Sequence, residues 1–258
     1  MRAGRERQFL THHRAHDYRA LVDAWRLLAA EAEATIHVFA ADAGLPVLCV
    51  TKEGDRKCPS LYLSAGIHGD EPAAPWGLVE WGRTRLARWP GPLVVFPCLN
   101  PSGLVRNLRT DRRGRDLNRC FEAPLPALLR RWGRVLARTG CRFDAAVCLH
   151  EDYDDQGIYC YELYRRNGPA FGAEALTAAA AAIPPDPRPR IERRRACDGL
   201  IRRAGLPRLD GTPEAFALYT DWARLVLTFE TPSEFSLFHR VRAHAWFLRE
   251  LECQLLDA

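Results

Sequence analysis

Residues 61–72, LYLSAGIHGDEP, decide the fold. Leu61 to Ala65 form a short, nearly continuous apolar run, the pattern of a strand buried on both faces. Gly66 and Gly69 then permit a tight turn that carries His68 and Glu71, and Pro72 is suited to the first turn of a following helix. Strand, tight turn and Pro-opened helix make up a unit of an α/β sheet.

The same alternation extends outward in both directions. Strand-like runs occur at Ile36 to Ala40, Pro46 to Thr51, Leu93 to Leu99, Ala145 to Leu149, Ile158 to Leu163 and Leu225 to Phe229. Helical spacing is found at Tyr18 to Ala34, Pro72 to Arg88, Pro126 to Arg138, Gly172 to Ala182 and Phe238 to Leu256. The expected fold is α/β, a single domain over 1–258 with a central mixed, twisted β-sheet, helices on both faces and an N-terminal helical extension over 1–35. The proline-rich stretch IPPDPRPR, Ile183 to Arg190, reads as a loop and not a domain boundary, because the polar motifs straddle it.

A chain of 258 residues can bury a substantial core, and 37 basic against 32 acidic residues leave only a mild positive charge. That balance gives no bulk electrostatic case for nucleic acid or an anionic membrane surface. No segment approaches the ~20 apolar residues of a spanning helix, and the N-terminus lacks a leader's apolar core, so the expected location is the cytoplasm. Nine cysteines, an odd number with several inside apolar runs (Cys49, Cys98, Cys148), read as buried reduced thiols.

Chemistry-bearing residues gather where apolar runs end. His68 and Glu71 follow the first strand, His150 follows AAVCL, and Glu230 ends LVLTF. In open α/β sheets ligands bind outside the carboxyl ends of the strands, so these exits are expected to share one crevice. Two imidazoles and a carboxylate with an open position form the ligand set of a catalytic zinc. An HxxE pair or a lone histidine recurs by chance in surface loops; their joint occurrence with a carboxylate emerging from a buried strand carries the reading. Beside a zinc-activated water, Glu230 would be the general base. In the loop RTDRRGRDLNR, Asn118 and Arg119 form an anchor for a substrate carboxylate and Arg109 supplies a second guanidinium, while Arg112, Arg113 and Arg115 read as solvated.

These segments, GIHGDE, NPSG, DLNR, LHE, TDW at Thr220 to Trp222 and FETP, together resemble the M14 family of zinc metallocarboxypeptidases. The family is meant in the broad sense that includes murein peptide amidases and the succinylglutamate desuccinylase/aspartoacylase branch. The resemblance implies one zinc per chain on His68, Glu71 and His150, with Glu230 as base and Arg109 polarising the scissile carbonyl. It also implies that Asn118 and Arg119 grip the terminal carboxylate of a small peptide or acyl-amino-acid substrate. The mobile tyrosine that such carboxypeptidases place ahead of DW has no counterpart in DGTPEAFAL, and nearby Tyr219 is the candidate substitute, with packing beneath the sheet as the alternative.

Three functions compete. Hydrolysis of a C-terminal peptide or amide bond stands first, supported by TDW and FETP. Deacylation of N-acyl amino acids stands second, supported by DLNRCF but without the β-domain that branch appends, since the chain ends soon after Glu230 at Ala258. A zinc-binding scaffold without turnover stands third, because it would have no need of Glu230. The acidic run EDYDD after His150 is read as a hydrated loop or a receptor for a substrate ammonium, and Tyr159 and Tyr161 as cleft-lining or simply alternating across the sheet.

Overall fold

The structure is a computed structural model and describes residues 2–140, 142–165 and 168–258. Eight strands form one sheet: β1 (Thr35–Asp42), β2 (Leu45–Lys52), β3 (Leu61–Ala65), β4 (Leu93–Phe96), β5 (Phe143–Asp152), β6 (Tyr159–Tyr164), β9 (Leu200–Ala204) and β10 (Ala223–Pro232). Their order is β1-β2-β4-β3-β5-β10-β6-β9, and β7 (Arg190–Ile191) and β8 (Arg194–Arg195) form a separate small hairpin. The centre, β4-β3-β5-β10, is parallel, while β1 against β2, β2 against β4 and β6 against β10 are antiparallel. The mixed sheet expected from the sequence is therefore present.

Side-chain alternation along the central strands produces two cores. Leu61, Leu63, Val147, Leu227 and Phe229 pack with helices α2 (Tyr18–Glu31), α3 (Ala73–Arg85), α6 (Phe171–Ala179) and α8 (Leu237–Asp257) on one face. Tyr62, Val94, Phe96, Ala146, Cys148 and Val226 pack with α5 (Ala127–Thr139) and α7 (Glu214–Ala217) on the other. Helices on both faces explain why the strands lack an apolar/polar alternation.

Several boundaries shift. β4 ends at Phe96 instead of Leu99, because Leu99 and Asn100 turn to donate to the carbonyls of Ala65 and Gly66 at 3.1 and 2.8 Å. β5 and β10 run on to Asp152 and Pro232, so His150 and Glu230 sit inside the strand ends, not beyond them as expected. Helix α1 (Arg2–His12) lies within the N-terminal stretch 1–35, whereas α4 (Pro101–Arg106), α7, the β7–β8 hairpin and β9 have no counterpart in the sequence reading. Strand β9 reads LIRRA, with no apolar run, because it lies at the edge of the sheet and its Arg202 is paired with buried Glu162 at 2.5 Å. Among the described residues, no helix is long and apolar enough to cross a membrane. Cys49, Cys98 and Cys148 are buried free thiols, as their apolar surroundings imply.

Candidate metal centre

The turn after β3 is shaped by two glycines. Gly66 has φ +62, and a Cβ on Gly69 would lie 2.0 Å from the carbonyl carbon of Gly103 in α4. Asn100 fastens these segments together: its Oδ1 caps α4 by accepting from the N–H of Gly103 at 3.0 Å, and its Nδ2 donates to the carbonyls of Ile67 and Arg109. The NPSG motif thus holds the loop of His68 and Glu71 against the loop of Arg109.

His150 enters from β5. Alternation turns it toward the α5/α7 face and Glu151 toward the other, where Glu151 is buried, pairs with Arg240 and accepts from the N–H of Ala73 at 2.5 Å. His68, Glu71 and His150 each present a ligand atom, all within 4.8 Å of one another. Glu71 bridges the imidazoles, with Oε1 2.6 Å from His68 Nδ1 and Oε2 3.0 Å from His150 Nδ1. All three side chains are buried.

The charges are strongly interdependent. Burial opposes ionisation of Glu71, but the flanking imidazoles outweigh it and hold the carboxyl well below the usual range. Burial likewise works against a charged His68, yet the Glu71 carboxylate and the bond to Asp116 push it up to about 9. His150 is also raised, with burial opposing and Glu71 and Glu230 favouring its cation. Two imidazoles sharing a buried carboxylate are held together by protons where a divalent cation would serve the same purpose. This donor set fits zinc.

Asp116 was overlooked in the sequence. Its Oδ1 lies 3.0 Å from His68 Nε2, and its Oδ2 accepts from Arg109 Nε at 3.2 Å. A ligating histidine characteristically uses its second nitrogen on a carboxylate, which fixes its ring. The signal was present as an acid inside the otherwise basic loop before Asn118 and Arg119. Asp116→Asn is expected to weaken metal affinity ~10–100-fold, measurable by competition with a chelating dye, with the fold intact by circular dichroism.

The candidate residues share one cleft, lined by His68, Glu71, Arg109, Asn118, Arg119, His150 and Glu230. Parallel pairing sets Glu230 of β10 directly opposite His150 of β5. Burial raises the Glu230 carboxyl well above its ordinary range, with His150 opposing that shift and the charge of Glu71 adding to it. Arg109 reaches Glu71 through Nη1 at 3.4 Å, whereas Arg106 bonds back to the Ser102 carbonyl within α4. Asn118 Oδ1 accepts from the N–H of Glu214 at 2.9 Å, which orients its amide. Glu214 is a second residue the sequence did not reveal; it is fully buried and takes the hydroxyl of Tyr62, which in turn accepts from Trp132 Nε1 at 2.9 Å.

Two expectations are corrected. Tyr219 lies outside the cleft lining: its hydroxyl donates to the Tyr164 carbonyl at 3.0 Å and Arg165 stacks on its ring, so it packs at the sheet, the alternative given for it above. The acidic run is not an open ammonium receptor, because Glu151 is bound to Arg240, Asp155 to Arg188, and Asp152 accepts from the Tyr159 hydroxyl at 2.8 Å. Tyr159 and Tyr161 both line the cleft.

Residues 57–184, close to half of the chain, match the model of the succinylglutamate desuccinylase/aspartoacylase catalytic domain family. No curated protein matches significantly. Among solved structures, a protein of Shewanella amazonensis named provisionally as a metallopeptidase superposes with a TM-score of 0.83 at 22% identity, over 95% of both chains. A metallo-carboxypeptidase from Burkholderia cenocepacia gives 0.67 at 16% identity, covering 91% of this chain and 68% of that one. Carboxypeptidase A from Helicoverpa armigera gives 0.64 at 14% identity, with 91% and 72% covered. These identities speak for the fold alone. The family match spans the segments bearing His68, Glu71, Asp116 and His150, so this part of the chain is similar to the succinylglutamate desuccinylase/aspartoacylase catalytic domain, and the chain as a whole shares the fold of the metallopeptidase and carboxypeptidase structures.

Proposed function

We propose that the protein hydrolyses a C-terminal peptide or amide bond in a small substrate with a free carboxylate, using zinc held by His68, Glu71 and His150. The observation that carries this reading is the register of Glu230 opposite His150, in the same cleft as Asn118 and Arg119. When bound, the zinc would supply Lewis-acid activation of a water and of the scissile carbonyl. Glu230 takes the proton of the attacking water and returns it to the departing amine. Burial raises its carboxyl above the ordinary carboxylate range, the direction that strengthens a carboxylate as a base. Arg109 keeps Nη2 outside its bonds to Asp116 and Glu71 and stabilises the oxyanion. Asn118 and Arg119 fix the terminal carboxylate and so the position of the bond to be cut.

A second reading, deacylation of N-acyl amino acids, is favoured by the family match over residues 57–184. Both reactions cut an amide beside a free carboxylate and need the same groups. The deciding experiment offers free-carboxylate dipeptides, murein fragments and N-acyl amino acids to the zinc-loaded protein, with and without chelator. Chelator-sensitive release from the first two supports peptide hydrolysis, and release from the third alone supports deacylation. Absence of any chelator-sensitive release would leave a metal-binding scaffold.

The anchor can be tested separately. Arg119→Ala is expected to raise KM for free-carboxylate substrates ~10–100-fold, as for a lost charge-assisted hydrogen bond, with little effect on the matching amides. An equal effect on acids and amides would remove Arg119 from that role.

A further inference from the structure

At their carboxyl ends, β5 and β10 send alternate side chains to opposite faces of the sheet. His150 and Glu230 turn to the cleft, and the next residue on each strand, Glu151 and Thr231, turns to the far face, where the parallel register pairs them. Both are buried, and both meet the same face of α8. Arg240 pairs with Glu151, and His244, one helical turn further on, places Nε2 3.2 Å from the hydroxyl of Thr231. Glu151 also accepts from the N–H of Ala73 at 2.5 Å, in the first turn of α3 and two residues after Glu71. Helices α3 and α8 press together at this point, since a Cβ on Gly77 would lie 2.3 Å from the Cβ of His244.

None of these contacts is needed merely to hold the helix. Desolvation of a buried ion pair roughly cancels its attraction, so apolar side chains of similar volume would pack α8 at least as firmly. Arg240 is nevertheless only 13% exposed, and among the described residues Glu151 is the one hydrogen-bond partner of its side chain. Its Nε is buried without a partner, as is Nδ1 of the fully buried His244. What the polar contacts supply, and an apolar face does not, is direction, because a hydrogen bond fixes both a distance and an angle. Each of them fixes a residue adjacent to one of the site.

We propose that Arg240 and His244 are positioning residues: from the far face of the sheet α8 holds β5 through Glu151 and β10 through Thr231, which sets the ligand His150 against the base Glu230. Through the bond from Ala73, Glu151 ties the same frame to the loop of His68 and Glu71. This inference rests on the reading of His68, Glu71 and His150 as a zinc site with Glu230 as its base. A misplacement of reacting groups by about 1 Å is enough to lower a rate ~10²-fold, so a frame of this kind acts on turnover more than on substrate binding. Arg240 acts on the strand of a metal ligand and His244 on the strand of the base, and their losses differ accordingly.

The test measures zinc affinity by chelator competition, the visible absorption of the cobalt-loaded protein, and kcat and KM on whichever substrate the screen finds cleaved, all on the full chain. Arg240→Met should weaken zinc binding ~10–100-fold, alter the cobalt bands and lower kcat by a similar factor. KM should stay within about threefold of native, because Asn118 and Arg119 belong to another loop. Arg240→Lys should recover part of each loss, as a point charge in place of the fork. Thr231→Val removes the hydroxyl and keeps the shape; it should lower kcat about fivefold at native zinc affinity, since none of the three ligands lies on β10. Glu151→Gln combined with Arg240→Met removes both buried charges and should regain stability while keeping the metal and kcat defects. Arg85→Met is the control: it breaks another buried pair between α3 and α8, Arg85 Nη2 to Glu252 Oε1 at 2.6 Å, and should lower stability alone. Native zinc affinity and kcat in Arg240→Met, defects that vanish in the double variant or recur in Arg85→Met, or an unchanged kcat in Thr231→Val would overturn the proposal. Should Arg240→Met fail to fold, the double variant and Thr231→Val decide. If the native protein binds zinc but cleaves nothing, the hydrolase reading fails, and zinc affinity and the cobalt bands decide for Arg240; if it binds no zinc, the site reading fails and this inference with it.

Discussion

Replacing Glu230 with Gln is expected to leave one equivalent of zinc bound and to lower kcat by ~10²–10⁴-fold, the usual contribution of a positioned general base. The amide has nearly the same shape but accepts no proton at neutral pH, so the change removes chemistry and little else. Metal retention follows from the geometry, since the three ligand atoms come from His68, Glu71 and His150 without Glu230. Stability offers an independent check. Burial and the charge of Glu71 make an ionised Glu230 costly in the folded state, and a neutral Gln relieves that cost. The variant should therefore melt at the same temperature as the native protein or higher, the pattern of a group kept for function at the expense of stability. Turnover within tenfold of native, measured alongside metal content by atomic emission, would remove Glu230 from the base role.

The residues most legible in the sequence were those whose neighbours are apolar. Runs such as LYLSA and LVLTF have few conformational alternatives once both faces are covered, so β3 and the core of β10 were readable from local pattern. His68, Glu71, His150 and Glu230 stood out because a polar residue ending a buried strand needs a partner or a task. What local pattern does not contain is register. That Glu230 lies opposite His150 depends on β10 inserting between β5 and β6, a long-range choice made by packing.

The residues that were missed share one property: their partners are distant in sequence. Asp116 acquires its role from His68, 48 positions earlier, and Glu214 from Asn118, 96 positions earlier. The acidic run after His150 is divided between partners for the same reason. Alternation sends Glu151 to α8 and Asp152 to Tyr159, so consecutive acids serve opposite faces. Tyr219 was judged by its distance from the TDW segment, but that segment closes in a π-helical turn, Leu218–Trp222, which leaves the tyrosine bonded to the carbonyl of Tyr164.

Loss of the metal is the second large effect. His68→Ala removes one of three protein ligands and strands Asp116, so zinc affinity should fall by more than the ~10–100-fold that losing an outer partner alone produces. The purified variant should hold well under a tenth of an equivalent of metal and show no chelator-sensitive activity. Some loss of stability accompanies it, because Glu71 is then buried with only His150 and Arg109 to offset its charge. A folded but metal-free protein, by circular dichroism and metal analysis together, is the expected result; stoichiometric zinc in a folded His68→Ala protein would break the ligand assignment. The native protein carries a matching signature in pH. With His68 pushed up to about 9, metal must displace its proton at neutrality. Apparent affinity should then rise with pH, ~10-fold per unit for each proton displaced, and level off above about 9, and zinc binding should release protons measurable as a buffer-dependent heat. Affinity that is flat between pH 6 and 8 would mean the imidazole is already free, and that Glu71 does not hold the charge its two bonds to His68 and His150 imply.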